Sequence, residues 1–141
     1  MVKARKTSKK LSCLKFKYLI GKVFMKISNH FTRKEFACKC GCGFATVDVK
    51  LVELLEVVRN HFGKPVIINS GCRCPDYNKK VGGASKSKHM EGIAADIVVK
   101  GVEPSEVHKF ITGHVGEHWA GIGKYNTFTH IDSRPSPARW G

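Results

Sequence analysis

His89 and Asp96 lie seven residues apart in "SKHMEGIAADIVV", and His130 alternates with Asp132 in "FTHIDSR". An aspartate inside an apolar strand is costly unless a cation or hydrogen-bond donors meet it. Two imidazoles and a carboxylate form a donor set for zinc. They leave the fourth tetrahedral position open, which suits a catalytic centre better than a structural one. Fully extended, the chain from His89 to Asp96 would span about 24 Å, whereas ligands of one ion each lie about 2 Å from it. The chain must therefore fold back between them, and Gly92 supplies the backbone freedom. Strand alternation puts Asp96 and Val98 on one face and Ile97 and Val99 on the other. His130 and Asp132 likewise share a face opposite Ile131. The candidate metal ligands are His89, Asp96 and His130. His61, His108, His114 and His118 have no such company in the sequence and read as ordinary core or surface groups.

The elements that must position these residues are legible in outline. Thr32 followed by Glu35 is a capping box and predicts a short helix. "VDVKLVELLEVVRNHFGKP" places Leu51, Leu54, Leu55, Val58 and Phe62 on one helical face, stopped by Gly63 and Pro65. "PVIIN" reads as a buried strand, followed by a long loop with a helical turn at about Asp76 to Lys80, and "AADIVV" as a second strand. Pro104 opens a helix through about Ile111. "WAGIGKY" and "FTHIDSR" are two strands joined by a tight turn around Asn126. Helices among mostly antiparallel strands predict an α+β domain, a small sheet flanked by helices.

The chain has 141 residues and a formal charge of +14, enough length for one domain with a modest core. Residues 1–24 carry eight Lys or Arg and no acid, which leaves seventeen bases against eleven acids, or +6, on residues 25–141. That balance argues against a nucleic-acid binder and suits an anionic polymer or simple solubility. No run approaches the roughly 20 apolar residues of a membrane span. In the head, Lys15, Lys17 and Lys22 interrupt the apolar stretch a signal peptide needs. Residues 1–24 are expected to be a disordered basic tail or a misassigned start, with Met25 as the first true residue. Residues 25–141 are expected to be one domain.

Three segments carry a family resemblance. "SKHMEGIAADI" is similar to the Ser-x-His-x-x-Gly-x-Ala-x-Asp signature of the zinc D-Ala-D-Ala carboxypeptidases and L-alanyl-D-glutamate endopeptidases, whose fold is shared with hedgehog signalling domains. "INSGCRCPDYNKKVGG" resembles that family's Ser-Gly-x-Arg-x-Pro loop, and "THIDSR" its closing His-x-Asp strand. The resemblance runs from about Lys26 to Trp140 and is strongest to small phage and bacterial forms. It implies one zinc ion per chain on His89, Asp96 and His130, with Arg73 beside the scissile carbonyl or a substrate carboxylate. Ser87 and Asn78 would be substrate-side or loop-shaping residues. The implied activity is hydrolysis of peptidoglycan stem peptides by a monomer, as carboxypeptidase or endolysin-type endopeptidase, with no nucleic-acid partner. The alternative is a zinc-containing wall-binding module without catalysis. With no clear signal peptide, synthesis in bacterial cytoplasm and action on the wall after lysis-type release are expected.

Many relatives carry an acidic residue or histidine two or three positions before the last ligand, as a general base. Here Thr127 and Phe128 stand there and cannot serve. Asp132 is the favoured substitute, either poising the water or orienting His130; Glu91 is the other carboxylate. The cysteines pose a separate question. Cys38, Cys40 and Cys42 alternate, and Cys72 and Cys74 flank Arg73. Zinc knuckles space paired cysteines by two to four residues, so single-residue spacing argues against a zinc finger. Either a disulfide joins the 38–42 loop to the 72–74 loop, or the thiols stay reduced.

Overall fold

The computed structural model describes residues 25–141, so the basic segment 1–24 and Cys13 lie outside the described residues. Five strands form one sheet: β1 (Val66–Ser70), β2 (Ala94–Val99), β3 (Gly121–Lys124), β4 (Thr129–Asp132) and β5 (Ala138–Trp140), in the order β1-β2-β4-β3-β5. All pairings are antiparallel except β3 with β5. The α+β expectation holds.

Helix α1 (Val49–Phe62) buries Leu51, Val52, Leu54, Leu55 and Val58 and ends at Gly63, whose φ of 60° is left-handed. Helix α3 (Pro104–Val115) starts at Pro104, as its fixed φ favours. It runs four residues beyond the sequence expectation. Val107, Ile111 and Val115 stack at intervals of four on its buried side. Burying a valine is worth about 1.5–3 kcal/mol, which outweighs the roughly 1 kcal/mol cost of Gly113 in the helix. Between β1 and β2 lie the short helix α2 (Pro75–Lys80) and a 3-10 turn at Lys88–Glu91, and another 3-10 turn occupies Arg33–Phe36.

The two faces of the sheet have opposite chemistry. Ile97, Val99, Ile122 and Ile131 join Leu55, Val58, Val107 and Ile111 in the hydrophobic core beneath the long helices. On the other face, register sets Asp96 opposite His130, and Ala94 opposite Asp132. Strand β5 escaped the sequence reading because the prolines of "RPSPARW" mask it. It is held by the Ala138 N–H bond to the Ala120 carbonyl (3.1 Å). Arg139 adds bonds to the carbonyls of Ala120, Gly116 and Trp119 at the end of α3.

Candidate metal and active site

His89 reaches the polar face from the Lys88–Glu91 turn. The Ser87 hydroxyl accepts from the His89 N–H (3.3 Å), starting the turn, and Gly92 ends it with a left-handed φ of 71°. This is the fold-back that the spacing to Asp96 demanded. The Arg73 N–H donates to the His89 carbonyl (2.9 Å), tying the turn to the preceding loop.

Three donor atoms then converge. His89 Nε2 is 3.2 Å and His130 Nδ1 2.9 Å from Asp96 Oδ1, and one donor atom from each residue lies within 4.8 Å of the other two. The outer nitrogens fix the tautomers. His89 Nδ1 faces the Gly71 carbonyl at 2.6 Å, an atom that only accepts, so it carries the proton. A neutral His89 then turns a lone pair on Nε2 toward a carboxylate. His130 Nε2 donates to Asp132 Oδ2 (2.9 Å) and turns Nδ1 toward Asp96 Oδ1. Three electron-rich atoms around one point fit a divalent cation, and the mixed imidazole–carboxylate set suits zinc.

Asp132 stands behind this centre. It is fully buried and does not line the cleft. Oδ1 accepts from the N–H groups of Gly121 (3.0 Å) and Arg134 (3.2 Å) and from Arg134 Nε (2.7 Å). Oδ2 accepts from Arg134 Nη2 (2.6 Å) and His130. That geometry suits the orientation of His130, the second of the two roles the sequence left open. Gly121 is required there, because a Cβ would land on the Asp132 carboxylate. Glu91 pairs with Lys88 (2.7 Å), with its side chain half exposed, outside the cleft lining.

Arg73 lies at the other side of Asp96. Nη2 donates to Asp96 Oδ2 (3.1 Å) and Nε to Ser70 Oγ (3.0 Å), with a longer bond from Nη1 to Asn78 Oδ1 (3.5 Å). Buried Asn78 in turn holds the Ala84 carbonyl (3.0 Å), bracing the loop. Burial alone would raise the Asp96 pKa, but His130 and His89, when they carry a proton on the nitrogen facing it, outweigh burial and hold the carboxyl well below the usual range. A bound cation would take the place of those protons. Asp132 is held low in the same way, burial being outweighed by Arg134 and His130. For His130, burial opposes the charged form, but hydrogen bonds to Asp132 and Asp96 prevail and raise its pKa.

A model of the peptidase M15 family matches residues 29–132. The chain belongs to this family. It is 32% identical over 117 residues to the peptidoglycan L,D-endopeptidase MepK of Escherichia coli K12, covering 77% of this chain and 60% of that protein. It is also 48% identical over 44 residues to the zinc D-Ala-D-Ala carboxypeptidase of Streptomyces albus G, covering 30% of this chain and 17% of that protein. The chain thus spans less than two thirds of the length of these curated relatives.

The M15 site opens into a cleft of about 650 Å³. Arg73, Ser87, His89, Asp96 and His130 all line it, so the structure brings the sequence candidates together, apart from Asp132. Sequence reasoning missed its aromatic wall. Tyr125 and Phe128 stack 4.3 Å apart, and Trp140 sits 5.1 Å from the His130 ring. Trp140 Nε1 donates to the Tyr125 hydroxyl (3.1 Å). Aromatic residues flanking the final "THID" were the available signal. Arg134, two residues past Asp132, was another.

Of the two states the sequence left open for the cysteines, the structure has the reduced one. All five described cysteines are free, and Cys72 stands apart from the rest. It is buried, and its thiol donates to the carbonyls of Phe36 and Phe44, each at 3.0 Å.

Proposed function

We propose that this chain is a zinc peptidase that hydrolyses peptide bonds in the stem peptides of peptidoglycan. The observation that carries the reading is the convergence of His89 Nε2, Asp96 Oδ1 and His130 Nδ1 on the wall of an open cleft. Membership of a peptidase family supports the reaction class. The names of the two relatives, one a D-Ala-D-Ala carboxypeptidase and one a peptidoglycan endopeptidase, support the substrate class.

His89, Asp96 and His130 would hold the ion. Zinc supplies Lewis acidity, which polarises an amide carbonyl and makes water a competent nucleophile near neutral pH. The chain's own residues do the rest. Arg73 spends three of its five N–H groups on Asp96, Ser70 and Asn78. The remaining two serve to steady negative charge on a substrate oxygen. The Ser87 hydroxyl already accepts from the His89 N–H and keeps its own proton to donate to a peptide carbonyl. Tyr125, Phe128 and Trp140 offer apolar walls, and Lys86 gives the rim a positive charge that suits peptide carboxylates. Asp132 holds His130 in the orientation that keeps Nδ1 facing Asp96.

The protein is proposed to act as a monomer on the bacterial wall, in the manner of a phage endolysin made in the cytoplasm. The excess of positive charge supports attraction to an anionic wall polymer. The test is hydrolysis of a purified muropeptide. Chelation should abolish it and zinc should restore it, whereas His89→Ala should stay inactive whatever zinc is added. Full activity in His89→Ala would remove the proposed centre.

A further inference from the structure

Outside the cleft, four sulfurs gather at one place. Cys38, Cys40 and Cys42 come from the loop after the first 3-10 turn, and Cys74 is the residue that caps α2. All four Sγ atoms lie within 4.8 Å of one another. Cys38 Sγ is 3.4 Å from Cys40 Sγ, which is 3.6 Å from Cys74 Sγ. A disulfide bond is about 2.05 Å long. Sulfurs at the corners of a zinc tetrahedron, with Zn–S about 2.3 Å, stand about 3.8 Å apart. The cluster has the second spacing, with four sulfurs on one point and no bonded pair.

Two further features separate these four from an incidental group of thiols. Backbone N–H groups point at sulfur: that of Cys74 donates to Cys38 Sγ (3.4 Å), and that of Tyr77 to Cys74 Sγ (3.4 Å). Such donors favour thiolate, the form that binds metal. The neighbouring Cys72 is used in the opposite sense, as a thiol donating to carbonyls. The short spacing that argued against a zinc finger is met by the backbone. The Cys38 N–H bonds to the Phe44 carbonyl (2.7 Å), closing the loop, and Gly41 and Gly43 turn through left-handed φ of 81° and 87°. The fourth ligand then comes from a distant segment.

We propose that Cys38, Cys40, Cys42 and Cys74 bind a second zinc ion, a closed structural site distinct from the histidine centre. Its place gives it a purpose. Cys74 directly follows Arg73, whose backbone N–H holds the His89 carbonyl and whose guanidinium holds Asp96. An ion joining Cys74 to the 38–42 loop fixes the segment that presents Arg73.

The test is metal stoichiometry together with cobalt spectroscopy on protein purified under reducing conditions. The wild type should contain two zinc ions per chain. His89→Ala should keep one, and after cobalt exchange that variant should show intense sulfur-to-cobalt charge-transfer absorption in the near ultraviolet. Cys40→Ser with Cys42→Ser should lose one equivalent and the absorption, while Cys72→Ser keeps both. A His89→Ala protein that is folded by circular dichroism but holds no metal would overturn the proposal. So would cobalt spectra without thiolate absorption, or thiol titration showing these cysteines paired as disulfides. Failure of the histidine centre alone would read differently: one zinc in the wild type, retained in His89→Ala with the thiolate spectrum.

Discussion

At the scale of single residues, the cleft is organised by one carboxylate shared among three partners. Asp96 Oδ1 faces both imidazoles while Oδ2 accepts from Arg73. The proposed ligands were legible because a histidine, a glycine and a strand aspartate at fixed spacing have few joint uses. The surroundings of Asp132 were not. Its five hydrogen bonds come from three residues, and the clamp by Arg134 depends on rotamers that no spacing encodes. The orienting role makes a definite expectation. Asp132→Asn should weaken zinc affinity at the histidine centre by about 10–100-fold, with activity returning as metal is added. A turnover loss of about 10²–10⁴ at full metal occupancy would instead mark Asp132 as a general base.

At the scale of elements, helices and strands followed from periodicity and breakers, whereas β5 and the end of α3 depended on tertiary contacts. The cysteine cluster was illegible for a related reason, since Cys40 and Cys74 meet across 34 residues. Strand β3 shows how an element serves the site. Its Gly121 leaves room for the Asp132–Arg134 pair, so Gly121→Ala should both lower the melting temperature and loosen metal at the histidine centre. Unchanged values for both would show that the pair tolerates a Cβ. The segment before the first turn is held to α1 by Glu56, which accepts from the Ser28 hydroxyl (2.5 Å) and the His30 N–H (2.8 Å) and meets His30 Nδ1 (2.6 Å). Burial would raise the Glu56 pKa, but these bonds lower it overall. A depressed folded-state pKa contributes stability above the unfolded value of about 4.3, lost as pH falls through the folded value. Glu56→Gln should therefore cost on the order of 1 kcal/mol at pH 7, and the difference from wild type should shrink below about pH 4. A difference constant across that range would remove the charge from the explanation.

At the scale of the whole molecule, the sheet separates two tasks. Its buried face carries the apolar side chains that hold α1 and α3, and its other face carries the groups of the cleft. The described residues include no helix long and apolar enough to cross a membrane. The fold class was readable from the order of elements, and the family from three short segments. The aromatic wall of the cleft emerged only when β5 brought Trp140 beside His130. The central claim is that the cleft cuts the wall peptide rather than merely holding it. Its most direct test is to incubate the zinc-loaded protein with isolated sacculi and identify the released muropeptides by mass spectrometry. The expected result is stem peptides shortened at one type of bond, each cleavage adding one water, and none of these products with His89→Ala. Protein that binds the sacculi while leaving every stem peptide intact would contradict the account and mark the chain as a wall-binding module.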